Sequence, residues 1–172
     1  MSSNNNNTGT KRIELTEKQL KNIPGYSTTK EAERLRGMTI GLLASAGVKN
    51  HALLSKDDVE YLMFELVIPT RENDVKRVIH FKIEVPRIYR KFTKKGMESR
   101  HEEAASWRLM YDYLDRKLAM VRLGVSDIME EFTANIVMQL PNGQQQTVYE
   151  AMMEGVNDPK APMLPFILEA DR

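Results

Sequence analysis

Six cations fall between residues 87 and 100: Arg87, Arg90, Lys91, Lys94, Lys95 and Arg100, against the single acid Glu98, with Tyr89 and Phe92 interleaved. Clustered cations neutralise phosphates and release their counterions, and exposed aromatic rings stack on bases. Arg87, Tyr89, Arg90, Lys91, Phe92, Lys94, Lys95 and Arg100 are therefore the candidate nucleic-acid-binding residues. Two other readings of the same stretch stay open. One is a solvated basic loop that keeps a neighbouring strand edge from aggregating. The other is a surface for an acidic protein partner.

Other chemistries have weaker spacing. His101 adjoins Glu102 and Glu103, but adjacent helical residues point in different directions and make a poor metal cage. His51 and His80 stand alone, and Glu130-Glu131 reads first as the acidic opening turn of a helix. A metal-dependent nuclease needs several acids converging with a lysine; Glu65, Lys82 and Glu84 share one face of a strand pair where such a set could form. No phosphate-binding glycine loop, dinucleotide fingerprint or nucleophile elbow occurs. No catalytic residue, metal ligand or cofactor is assigned.

Composition leaves the field open. The chain has 172 residues, 41% apolar and 28% charged, enough for one domain with a true core. A net charge of +1 makes any electrostatic argument local. The absence of cysteine excludes disulfides and thiolate chemistry and fits a reducing compartment. No apolar run approaches the roughly 18 residues of a membrane span, and no apolar segment follows a basic one at the N-terminus. The expectation is a cytoplasmic protein without a membrane partner.

The elements that must position the basic stretch are legible from their periods. Met1 to Thr10 is rich in Ser and Asn and is expected as a disordered tail, leaving 11–172 as a single domain. Thr16 and Gln19 can cap a short helix to Asn22. Thr28-x-x-Glu31 can cap a second helix, with Ala32, Leu35, Thr39, Leu42, Leu43 and Ala46 as its stripe and Gly47 as its left-handed stop. Gly37 and Gly41, four apart, point to close packing against a neighbour or a dimer contact. Leu62, Phe64, Leu66 and Ile68, then Ile79, Phe81, Ile83 and Val85, alternate with outward residues and predict an antiparallel hairpin ended by Pro69 and Pro86. Asn50 to Ser55 can add a strand before it. The basic stretch is then the joint between this hairpin and a long helix from about Glu98 to Leu123, whose seam is Ala104, Trp107, Tyr111, Leu114, Leu118 and Val121. Gly124 stops that helix. Asp127 and the Thr147-x-x-Glu150 box start two short ones, with an extended Ile136–Leu140 run and a Pro-Asn-Gly turn between them. The Pro-containing segment after Gly155 is expected to be irregular.

The words Trp107-Arg108, Lys117-Leu118, Val121, Gly124, Glu131-Phe132, Leu140-Pro141, Gly143 and Thr147-Val148-x-Glu150, in that order, resemble a family of small proteins of bacteriophages, prophages and related mobile elements. The resemblance extends upstream to the glycine-closed Leu42–Gly47 run and the Val85-Pro86 step, covering roughly residues 28 to 165. It departs at Met129, where an aromatic is usual, and at Gln144–Gln146, which lengthen the turn. It carries no catalytic residues; it implies company with replication and recombination genes, hence nucleic acid. The order helix, three strands, helix, with Lys94-Lys95 ahead of Ala104-Ala105, also resembles a double-stranded-RNA-binding domain.

The expectation is an α+β protein: a helix, a two- to three-stranded antiparallel sheet, a long helix packed on it and short C-terminal helices. Its expected role is non-enzymatic nucleic-acid binding, DNA or RNA, in a phage or mobile element. The alternative is a protein-interaction or inhibitor module acting through the helix of 98–123, with a homodimer through Trp107, Tyr111, Leu114 and Leu118; the third is the nuclease.

Overall fold

The computed structural model describes residues 12–23, 26, 31–69, 76–92, 98–140 and 142–157. The N-terminal ten residues, the Pro-containing C-terminal segment and the Thr28 cap lie outside them. Strand β1, Arg12–Leu15, runs straight into helix α1, Glu17–Leu20, through the Thr16–Gln19 capping box. Helix α2, Ala32–Ser45, buries Leu35, Thr39 and Leu43 of the predicted stripe, and Ala32, Leu42 and Ala46 pack half-buried against the same core. Gly47 follows it with φ +84°, the left-handed stop. Gly37 and Gly41 correct the packing expectation. Both are exposed, and a Cβ at either would meet nothing within 4 Å.

Strands β2, Asn50–Lys56, β3, Val59–Pro69, and β4, Lys76–Glu84, form one antiparallel sheet in that order. A two-residue turn joins β2 to β3, with Asp57 and Asp58 both at positive φ (51° and 61°). Positive φ at both positions matches the right-handed twist of paired strands. The period-two reading holds: Leu62, Phe64, Phe81 and Ile83 are buried, and Tyr61, Met63 and Lys82 face the other way.

Beyond Pro86 the structure corrects the expectation of a joint opening into a helix at about Glu98. Strand β5, Arg87–Arg90, pairs in parallel with β1, and β6, Arg100–His101, pairs antiparallel with β5. The cause is Ile88. It is fully buried against Leu20 and Ala105, so its backbone groups cannot turn to water. Ser106 Oγ accepts from Ile88 N–H at 3.1 Å, and Glu102 N–H donates to the Ile88 carbonyl at 2.8 Å.

Helix α3, Glu103–Arg122, lies beside α2, and both cover the inner face of the β2–β3–β4 sheet. Gly124, φ +69°, ends the run. Helix α4, Ile128–Phe132, is capped by Asp127, whose carboxylate accepts from Glu130 N–H at 2.8 Å. After a 3-10 turn at Thr133–Asn135, β7, Val137–Gln139, pairs with β8, Gln145–Thr147, a return strand that the turn-then-helix expectation lacked. Helix α5, Val148–Asn157, starts at the Thr147–Glu150 box.

Phe64 and Phe81 stack at 4.6 Å, and Phe132 meets both edge-on, at 5.4 and 6.4 Å. Trp107, Leu114 and Leu118 join them in one cluster and are fully buried. Three of the four side chains expected to meet a second copy are thus spent on the chain's own core; Tyr111 alone of the four keeps exposure. The fold is α+β, as expected. Among the described residues no helix is long and apolar enough to cross a membrane.

Candidate nucleic-acid interface

The two ends of the basic stretch, 87–90 and 100, belong to the β1–β5–β6 sheet, and strand geometry divides their side chains. Successive residues of β5 point to opposite faces, so Arg87 and Tyr89 share one side while Ile88 and Arg90 take the other. Ile88 anchors the strand and thereby orients Arg87 and Tyr89 away from the small core it fills.

Tyr89 is flanked from both neighbouring strands. The Arg12 guanidinium sits 4.1 Å from its ring centroid and the His101 ring 5.0 Å away. Arg12 is further held by Glu14 at 2.9 Å and by Ser99 Oγ. The side chains form a row of guanidinium, phenol and imidazole across three strands. Arg12 joins the site without having been singled out from the sequence. Its pairing with Arg87 spans 75 positions, and no local pattern signals it.

Arg90 faces the other way into a network. Its Nε lies 2.8 Å from Glu102 Oε1 and its Nη1 3.2 Å from Glu17 Oε2, and its other terminal nitrogen donates to the Tyr26 hydroxyl. Burial works against its charge most strongly, yet Glu102, Tyr26 and Glu17 together raise its pKa above the ordinary arginine value. Arg90 is thus committed to tying α1 and the Tyr26 segment to the start of α3, and its cation is already neutralised.

Lys91 is exposed, its backbone fixed by a 2.8 Å bond from its N–H to the Leu15 carbonyl. Arg100 is exposed on β6, opposite Arg90 in register. Phe92 is half-buried, and Lys94 and Lys95 lie outside the described residues. The sheet therefore brings Arg87, Tyr89 and His101 to one face, with exposed Lys91 just beyond β5, and places exposed Arg100 on the other face, across from the engaged Arg90.

Arg87 has a second neighbourhood. It lines a cavity of about 560 Å³ on the outer face of the β2–β3–β4 sheet, together with Lys56 and Lys82. Lys82 holds its ammonium 4.6 Å from the Tyr61 ring centroid. Period two had already placed Lys82 on that outer face; its convergence with Lys56 and Arg87 depends on the β2–β3 turn and on β5, which the sequence does not spell out.

The remaining candidates are structural in their surroundings. Glu65 bonds His80 at 3.1 Å and Asn50 at 3.0 Å, while Glu84 pairs with Tyr61 four positions along β3, about 13 Å away by strand rise. Among the described residues no three His, Cys, Asp or Glu side chains gather as a metal site. Glu131 accepts from Ser126 Oγ at 2.7 Å and lies 3.4 Å from Lys117, while Glu130 belongs to the α4 cap.

Comparison with protein-family profiles, with curated proteins and with solved structures finds no match for this chain.

Proposed function

We propose that this chain is a non-enzymatic nucleic-acid-binding protein that grips phosphates through β5, β6 and the residues between them. The observation that carries the reading is the division of the basic stretch. Ile88 anchors the strand and Arg90 is neutralised within the fold, while Lys91 stays exposed just past Arg87 and Tyr89 and Arg100 stays exposed on the neighbouring strand. Exposed cations beside a strand held by its buried anchor suit sequence-independent phosphate contact. The phage or mobile-element setting rests on the resemblance of the C-terminal half.

The test is fluorescence anisotropy with single- and double-stranded DNA and RNA at low and high salt. Replacing Lys91 and Arg100 by Ala should shrink the slope of log affinity against log salt by about 2 for duplex DNA and less for single strands. Absence of binding to all four at low salt overturns the reading.

The alternative, a protein-interaction or inhibitor module using the long helix, draws on a specific patch. Met120, Leu123 and Val125 are exposed around the helix's C-terminal end, Leu123 at 74%. Binding through that patch would be insensitive to salt.

A further inference from the structure

The cavity beside Arg87 brings apolar and cationic side chains together from several strands. Its floor is apolar, from Leu54, Val59 and Met63 of β2 and β3. Its cations, Lys56, Lys82 and Arg87, come from three strands, against one lining acid, Asp57. Gln145 and Gln146 of β8 also line it. The Lys82 ammonium lies 4.6 Å from the Tyr61 ring centroid and pairs with Glu150 at 4.0 Å. At about 560 Å³ the space lies within the range of small-molecule sites.

An apolar floor and cations drawn from three strands suit one ligand chemistry: a flat heterocycle joined to a phosphate. We infer that the cavity seats a nucleotide unit, either free or as one residue of a single strand. The single-strand form rests on the proposed function, because Arg87 belongs to both the cavity and the basic strand. A strand whose phosphates run past Lys91 and Arg87 can place a base on the floor between β2 and β3. A duplex cannot, since its base faces are already stacked.

The inference separates from the proposed function in one experiment. Binding of a fluorescent oligothymidylate and of a duplex of the same length is measured at low salt, with adenosine monophosphate titrated separately and followed by NMR. The Lys56→Ala/Lys82→Ala double variant should bind the single strand roughly tenfold more weakly, leaving duplex binding at the wild-type value. Asp57→Asn should tighten single-strand binding by roughly two- to fivefold, the scale of one screened surface charge. That gain cannot come from misfolding, and Asn tolerates the positive φ of the turn. Equal losses for strand and duplex, or no loss at all, overturn the inference while the proposed function stands. Adenosine monophosphate shifts at Tyr61 and Met63, with no oligonucleotide binding of any kind, overturn the proposed function and support the cavity as a free-nucleotide site. Absence of binding by every probe overturns both.

Discussion

The indole N–H of Trp107 donates to Glu60 Oε2 at 3.0 Å, and the other oxygen of the same carboxylate lies 2.5 Å from Arg36. Glu60 of β3 therefore joins α2 and α3 to the sheet they cover. Arg36 also pairs with Glu33 and Glu103 and sits 5.2 Å from the Trp107 ring centroid. Burial opposes its charge most strongly, but the Glu60 hydrogen bond and the charges of Glu60, Glu103 and Glu33 raise its pKa.

Removing one partner from this network should cost more than the bond itself is worth. Glu60→Ala leaves a fully buried indole N–H and a largely buried guanidinium short of an acceptor, so a loss of about 1–3 kcal/mol is expected. Trp107→Ala adds a cavity and should cost about 3–5 kcal/mol. Urea denaturation checks both. A Glu60→Ala protein as stable as wild type would show that the carboxylate is dispensable.

Gly37 and Gly41 invite the opposite change. Both sit in the interior of α2 with open space where a Cβ would go. Replacing either by Ala should stabilise the protein by about 0.5–1 kcal/mol, mainly by restricting the unfolded chain. Thermal denaturation with sedimentation velocity on the same variants checks the second copy as well. A destabilised variant that also changes oligomeric state would restore the dimer contact.

The parts of this fold read correctly from sequence are those whose signal is local. Leu62, Phe64, Phe81 and Ile83 declare their face by alternation, and Gly47 and Gly124 stop their helices where the periodicity ends. The β1–β5 pair is a different case. Four residues with one buried side chain, Ile88, leave no periodic trace, and the partner strand lies 75 positions away. Pro86 reads as an end because it cannot donate to a ladder, yet pairing resumes at the next residue. The candidate site suffered most from this. Composition picks out eight residues of 87–100 as equals, and only the tertiary positions of Glu102, Glu17 and Tyr26 separate Arg90 from Lys91.

Glu131 should make stability depend on acid pH. The Ser126 hydrogen bond, first, and Lys117 after it hold its pKa below the ordinary carboxylate range against partial burial. A depressed folded value means that the unfolded chain binds the proton more readily, so stability from this group is complete above the unfolded pKa of about 4.3. It is lost as pH falls through the folded value. The melting temperature of Glu131→Gln should therefore lie below wild type at pH 7, and the gap should narrow as pH drops below about 4.3. A gap independent of pH would assign the effect to packing.

Arg90 and Lys91 are adjacent cations that should behave as different kinds of residue. Arg90 is engaged by Glu102, Glu17 and Tyr26, so Arg90→Ala leaves Glu102 without its nearest cation and should lower stability by about 1–3 kcal/mol. Lys91 is exposed, and no ion pair among the described residues anchors its side chain, so Lys91→Ala should stay within about 0.5 kcal/mol of wild type. Binding should reverse the order. Loss of Lys91 should reduce the salt slope on duplex DNA by about 1, whereas loss of Arg90, already neutralised, should leave the slope unchanged so long as the protein remains folded. Chemical denaturation and salt-titrated anisotropy on the two single variants make the comparison, with Arg90→Lys as a third arm. A lysine there keeps the charge but not the three-way contact, so it should recover only part of the stability. Equal slope changes for Arg90 and Lys91 would mean that the network around Arg90 opens to nucleic acid and that the division of the basic stretch does not hold in the complex.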